Sequence, residues 1–364
     1  MSLRDAIDPG QLRRVLVIKL RHHGDVLLAS PVLAALKSAA PQADIDALVY
    51  DDTAAMLRGH PALDQLHLLP RSMRKAGLGK RLVSESTLLR MLRGRGYDLL
   101  VHLTDHPRGA WLSRVLRPRW SVAHERAGTP WWWTGSFTHL APQPRGTPRP
   151  TVERNLDALR RLGIHPQAAD RKPRLYTEPA TMDSALAKLR AAGWTGEPYA
   201  VVHPGSRWLF KAWNAPGNAR VLEHLAARGL LPVMTGAPDA RERAIGDAVL
   251  QDTRARCIDL RGVLDLSELG AVIRRASFFF GVDSVPMHIA AAVDTPGAAL
   301  FGPSDERVWG PWSPSIGVVA SREFPCRPCG IDGCGGSKRS ECLETLPVPQ
   351  VLATIDAVLE RHGR

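Results

Sequence analysis

The stretch that most constrains this chain is residues 278–305, FFFGVDSVPMHIAAAVDTPGAALFGPSD. The apolar run 276–280 has the length of a strand buried on both faces, as in a parallel sheet. It breaks at Gly281. Asp283 and Ser284 are then placed to cap a helix over 285–292, with Pro286 in its first turn, where a missing N–H costs nothing. A second strand, 297–300, ends at Phe301-Gly302-Pro303-Ser304. The unit is strand–turn–helix–strand, with its polar groups at the carboxyl end of the first strand. A helix N-terminus there carries roughly half a positive charge and several free N–H groups, which suits an anion such as a diphosphate. Asp283 and His288 lie near that end, within reach of a sugar hydroxyl or a phosphate. The plain alternative is an ordinary βα unit with a capping Asp and a surface His.

The same arrangement recurs along the chain. A buried strand over 14–20 runs into Arg21-His22-His23-Gly24-Asp25, then a helix over 26–40 with Pro31 in its first turns, then a strand over 43–50. No G-x-G-x-x-G follows the first strand, which argues against NAD. The turn offers one carboxylate, Asp25, at the strand end where open α/β sheets bind ligands; the alternative is that Asp25 caps the next helix. A further strand over 97–103 ends at Thr104-Asp105-His106. A helix over 151–163 precedes the Pro/Lys/Arg-rich connection 166–173, which reads as a domain boundary. Beyond a helix over 181–192, the strand over 199–203 ends in His203-Pro204-Gly205-Ser206-Arg207, a small-residue turn open to phosphate, followed by Lys211 and Trp213. Helices over 218–228, 240–250 and 266–275 alternate with strands over 231–235 and 257–260. The expected fold is therefore α/β, with two doubly wound domains, 1–170 and 171–345, and an amphipathic helix in 346–364 packing back across the structure.

Charge narrows the partners without choosing one. The chain carries a formal net charge of +12, which fits nucleic acid, an anionic membrane surface or a phosphorylated substrate. No RNP, helix-turn-helix or finger pattern supports nucleic acid. The segment 69–95 is strongly basic, with Arg71, Arg74 and Lys75 at its start and Glu85 as its one acid. It reads as a solvated face or as a patch for a phosphorylated, lipid-linked acceptor. Trp131-Trp132-Trp133 cannot all be buried from one strand, so part of the run is expected in a loop, exposed for sugar or membrane-interface contact. No apolar run approaches the ~20 residues that span a bilayer, and the first residues lack a signal-peptide core, so the chain is expected in the cytoplasm. Cys326, Cys329, Cys334 and Cys342 follow a C-x2-C-x4-C-x7-C spacing. In the cytosol such a cluster reads as a structural zinc site, an iron–sulfur site or reduced thiols, with disulfides under oxidising conditions. Cys257 stands apart and reads as a small buried hydrophobe.

Four motifs in order carry a resemblance: HGD after the first strand, HPGS with a following lysine and tryptophan, GVDS with a later His, and the tail CRPCGIDGCGGSKRSECLETLP. Together they resemble the ADP-heptose:lipopolysaccharide heptosyltransferase family over nearly the whole chain, and the tail is similar to that of its type III members. The resemblance implies a GT-B glycosyltransferase, two Rossmann-like domains facing each other across a cleft, with acceptor held by the first and nucleotide-sugar by the second. It implies inverting transfer of heptose from ADP-heptose to a lipopolysaccharide inner-core heptose, with no cofactor required for catalysis. Asp25 matches the proposed base, Lys211 the lysine that meets the donor diphosphate, and Ser206 the hydroxyl of the phosphate turn. Asp283, Ser284 and His288 match the donor-binding D-x4-H, and Asp239 and Glu242 are both candidates for the ribose-binding acid. The acceptor would be met at the cytoplasmic face of the inner membrane. Two other readings keep the fold: a nucleotide-sugar epimerase, and a non-catalytic nucleotide- or glycan-binding module.

Overall fold

The computed structural model describes residues 5–72, 77–125, 128–143 and 146–363. The chain divides into two compact units, Met1–Tyr176 and Thr177–Arg364. In the first unit the strands are β1 (Arg14–Ile18), β2 (Asp44–Tyr50), β3 (Gln65–Leu69), β4 (Leu99–His102), β5 (Trp120–His124) and β6 (His139–Ala141). They form one parallel sheet in the order β3-β2-β1-β4-β5-β6. Its helices are α1 (His23–Leu27), α2 (Ser30–Ala39), α3 (Leu78–Arg95), α4 (Pro107–Leu116), α5 (Trp131–Thr134) and α6 (Thr151–Arg161).

The second unit repeats the plan. Its strands are β7 (Tyr199–His203), β8 (Leu231–Met234), β9 (Ile258–Asp259), β10 (Phe278–Val282), β11 (Gly297–Phe301) and β12 (Ile316–Ala320). They are parallel, in the order β9-β8-β7-β10-β11-β12. Its helices are α7 (Pro179–Ala191), α8 (Ala215–Ala227), α9 (Ala240–Asp252), α10 (Leu266–Arg275), α11 (Val285–Ala292), α12 (Glu306–Trp309), α13 (Glu341–Glu344) and α14 (Val348–Arg361). Counted within each unit, both sheets run 3-2-1-4-5-6, the Rossmann order. That order reverses direction between its first and fourth strands, and the loops part there to leave a crevice at the carboxyl ends. The switch points are β1/β4 in the first unit and β7/β10 in the second.

The sequence dictates this through apolar runs that tolerate water on neither face. All five residues of β10 are buried. Phe278 and Phe280 share a core with Val202, Trp213, Val221 and Leu222. The last helix, expected as an element of its own, joins this core through Val351, Ile355, Val358 and Leu359 and packs on β11, β12 and α8. Gly317 makes room for it: a Cβ there would lie 2.6 Å from the Thr354 methyl.

Several expectations are corrected. The single helix over 26–40 is two, because Pro31 lacks the N–H needed to continue the ladder and its ring crowds the carbonyl four residues back; Ala29 N–H instead closes on the Val26 carbonyl at 3.1 Å. The tryptophan run is one helical turn rather than a loop, with Trp131 80% and Trp132 38% exposed and Trp133 buried. Strands β3, β5, β6 and β12 were not anticipated.

At the amino ends of the first sheet sits a buried ion network. The Asp46 carboxylate accepts from Arg95 Nε (2.8 Å) and from the Tyr97 hydroxyl (2.7 Å), and meets His67 Nε2 at 3.2 Å. Burial alone would push this carboxyl up, but hydrogen bonds from His67, Arg95 and Tyr97, with the Arg95 charge, outweigh it and hold it down to about 2. Its folded value lies below that of an unfolded aspartate. The ionised form therefore stabilises the fold above about pH 4, and that stabilisation disappears as pH falls toward about 2. Asp46→Asn is expected to cost about 3 kcal/mol at neutral pH, by leaving Arg95 short of its buried partner. It should also flatten the acid limb, as read from unfolding transitions at pH 7, 5 and 3.

Candidate active site

In the second unit the polar residues converge on the β7/β10 switch point. Lys211 follows the turn after β7, and Asp283 is the first residue past β10. The Lys211 ammonium donates to Asp283 Oδ2 at 2.6 Å, with the two side chains 21% and 6% exposed. A charge-assisted bond this short, mostly out of water, fixes the ammonium at the strand ends. It also corrects the expected cap of α11. Asp283 is committed to Lys211, and Ser284, at the N-cap position, directs its hydroxyl to the Val282 carbonyl (3.2 Å) with no side-chain capping bond. The helix start is therefore left uncapped by side chains. His288 lies one turn inside α11 and is buried.

The turn after β7 lies against the end of β8. Ser206 is buried, and its Oγ accepts from Trp208 N at 3.3 Å. His203 Nδ1 contacts Thr235 Oγ1 at 2.9 Å, and its Nε2 lies 3.7 Å from Glu242 Oε2. Burial pushes the His203 imidazole down to about 4, so it is uncharged at neutral pH. Glu242 accepts from Ala237 N at 2.8 Å, and its carboxyl is pushed up by burial. A Cβ on Gly205 would stand 3.2 Å from the Glu242 side chain, so the small turn residue lets the carboxyl sit beside the turn after β7. Asp239 occupies a different position: its Oδ1 accepts from Arg241 N (3.0 Å) and Glu242 N (3.3 Å) as the cap of α9. Of the two acids, Glu242 is the one placed beside the turn after β7. Together these groups offer an ammonium, small-residue backbone and a helix N-terminus to an anion, and a carboxyl to a neighbouring hydroxyl.

In the first unit Asp25 lies in the first turn of α1, just past β1, its side chain 13% exposed and 3.8 Å from Arg21 Nε. Near it is Lys19, whose ammonium feels the Asp25 charge. Its side chain is buried; Nζ donates to the Leu103 carbonyl (2.9 Å) at the end of β4 and to Asn155 Oδ1 (3.0 Å) on α6. Burial pushes this ammonium down to about 8, against the pull of the Asp25 charge. A lysine at the end of the apolar run RVLVIKL was the available signal, since a buried charge requires partners. Arg71 stands at the end of β3, paired with Asp52 (Nε to Oδ2, 2.6 Å) and stacked over Tyr50 at 4.0 Å. Arg74 and Lys75 lie outside the described residues.

The four clustered cysteines fall in the connection between β12 and α13 and on α13 itself. All are free thiols: Cys326 is exposed, Cys329 and Cys334 are partly covered, and Cys342 is buried. The donor chemistry is that of a thiolate metal site. Among the described residues, however, no three Cys, His, Asp or Glu side chains are arranged to hold an ion. Cys257 is partly buried against the second core.

Two Rossmann-ordered units, each with polar groups gathered at its switch point, are the architecture of GT-B glycosyltransferases. The chain belongs to glycosyltransferase family 9, the heptosyltransferases, whose family model matches residues 86–336. Lipopolysaccharide heptosyltransferase 3 of Escherichia coli K12 is 37% identical over 348 residues, 93% of this chain and 96% of that one. A second Escherichia coli lipopolysaccharide heptosyltransferase 3 is 34% identical, over 93% of this chain and 97% of its own length. Among solved structures, Escherichia coli ADP-heptose lipopolysaccharide heptosyltransferase II superimposes with a TM-score of 0.76 at 20% identity, covering 96% of this chain and 100% of that one.

Burial pushes the Cys342 thiol up to about 11, with the neighbouring thiols adding to the effect. At pH 8 iodoacetamide should therefore alkylate exposed Cys326 first and Cys342 last, by at least about tenfold, since the thiolate is the nucleophile. Mass spectrometry of the labelled chain reads the order. Equal protection of all four, lifted by a chelator, would instead report a bound metal.

Proposed function

We propose that this enzyme transfers heptose from ADP-L-glycero-β-D-manno-heptose to a heptose of the lipopolysaccharide inner core, with inversion at the anomeric carbon. Membership in the heptosyltransferase family sets aside the epimerase and binding-module readings. The observation that carries the proposal is the Lys211–Asp283 pair at the β7/β10 switch point, beside the 203–207 turn and the start of α11. An ammonium, small-residue backbone and a helix N-terminus together suit a diphosphate, and Glu242 is available to a ribose hydroxyl.

Chemistry needs a base on the acceptor side, because a sugar hydroxyl is a poor nucleophile at neutral pH. Asp25 takes its proton as the oxygen attacks C1 of the heptose. The C1–oxygen bond to the diphosphate breaks on the opposite face, and ADP leaves. Its growing charge is met by Lys211 and the α11 N-terminus, in the manner of an oxyanion site. Asp283 holds Lys211 in place for this and lies where a heptose hydroxyl would be met; Ser206 and His288 complete the donor pocket. Arg71, with Arg74 and Lys75, serves the phosphorylated core. Among the described residues no helix is long and apolar enough to cross a membrane, and we place the enzyme at the cytoplasmic face of the inner membrane as a peripheral protein.

Asp25→Ala should lower kcat by about 10²–10⁴-fold, the usual contribution of a positioned base, with ADP affinity unchanged. Full turnover in that variant would remove Asp25 from the mechanism. Lys211→Ala should weaken ADP binding by about 10- to 100-fold, the range of one charge-assisted hydrogen bond. Calorimetry on the full chain reads this directly, and an unchanged Kd would dismiss Lys211 as the diphosphate ligand.

A further inference from the structure

We infer that the outer surface of α4 and α5 is a docking site for an anionic lipid bilayer, an inference that rests on the proposed reading of a lipid-linked acceptor. Three indoles stand out of the first unit here. Trp111 on α4 is 43% exposed, and Trp131 and Trp132 on α5 are 80% and 38% exposed. They belong to one surface. Arg114, one turn beyond Trp111 on the exposed face of α4, donates from NH2 to the Trp132 carbonyl (2.9 Å) and from Nε to Ser136 Oγ (2.7 Å). Ser113 Oγ adds a bond to the Ser136 carbonyl at 2.6 Å.

The surface is rigidly backed. Trp133 is buried between His102 and Phe137, with ring centroids at 5.4 Å from each. Gly109 brings α4 down onto the His102 ring, where a Cβ would lie 2.2 Å away. The next helix is tied in by Arg108, which grips both Glu85 oxygens on α3 (NH2 to Oε1, 2.6 Å). On α3, Val83 is 66% and Met91 45% exposed, and Arg90 and Arg93 are exposed as well.

Exposed indoles beside arginines are the chemistry of a membrane interface. Indole sits at headgroup depth with its N–H in water, and each cation near an anionic leaflet adds to the attraction. A ring that is 80% exposed, as Trp131 is, is left almost uncovered by the rest of the chain. A contiguous apolar patch rimmed by charge marks an interaction site. The overall charge of +12 favours an anionic surface as the occupant.

The test is flotation of the full chain with vesicles of phosphatidylcholine containing about 30% phosphatidylglycerol, against pure phosphatidylcholine, at low and high salt. The unsubstituted chain should float with the anionic vesicles, less so at high salt, and its tryptophan emission should shift to the blue. Trp111→Ser combined with Trp131→Ser should cut partitioning by at least about tenfold, since each indole offers some 150–250 Å² of surface. Both positions are exposed, so the Tm should hold; Trp131→Phe, which keeps an aromatic ring, should restore most of the binding. Turnover on a deacylated, water-soluble core acceptor should be unchanged in the double variant. Equal flotation of variant and parent, or a loss of turnover on the soluble acceptor, would overturn the assignment, the latter by making the indoles part of the sugar site. Transfer to the soluble acceptor by the unsubstituted chain checks the proposed reaction separately, and its failure would leave the flotation result standing.

Discussion

The ion pair between Lys211 and Asp283 is the contact on which the proposed donor site turns. It joins the segment after β7 to the end of β10 at 2.6 Å. Without Asp283, the Lys211 ammonium would be a long, mobile point charge; with it, the charge is held where the sheet order opens a crevice. The pair also explains why α11 starts without a side-chain cap. A capping carboxylate would fill the positive end of the helix, which the proposed diphosphate would need. The start of α11, uncapped by side chains, and the engaged Asp283 are therefore one arrangement.

The first unit solves a related problem with different groups. Lys19 at the end of β1 bonds to the Leu103 carbonyl past β4 and to Asn155 on α6, spanning the switch point with a buried cation. Its charge lies beside Asp25 and draws on it, which is why burial does not depress the ammonium further. In each unit a lysine bridges the first and fourth strands of the sheet, one against a carboxylate, the other against a carbonyl and an amide.

The buried ion network and the proposed chemistry lie at opposite ends of the first sheet. The carboxyl ends of its strands carry Lys19 and Asp25, whereas the Asp46–Arg95–Tyr97–His67 network lies toward the amino ends. Parallel strands make this division natural. Their faces are covered by helices, so polar groups gather at the two ends, and only the carboxyl ends face the loops that can hold a ligand.

Much of the scaffold was legible from residue order. The strand Tyr199–His203 and the helices Leu266–Arg275, Val285–Ala292 and Val348–Arg361 fall where apolar runs, caps and period place them, because buried parallel strands and amphipathic helices leave strong local patterns. The short strands were not: β6 has three residues, and β12 carries Gly317 and is only partly buried at the sheet edge, so neither makes a run that stands out. The motifs HGD, HPGS and GVDS could be found in the sequence, since each lies at or just past a strand end, where the apolar run gives way to polar and small residues. What no local pattern contains is which distant side chain each one meets. Lys211 and Asp283 are 72 residues apart, and Lys19 and Asn155 are 136 apart. Only the sheet order brings those pairs together, and only burial separates Asp239, held as a helix cap, from Glu242, enclosed beside the turn after β7. Sequence set which strand ends carry chemistry, because that depends on neighbours along the chain; the tertiary fold decided which charges are paired, because Coulomb attraction and desolvation depend on distance in space.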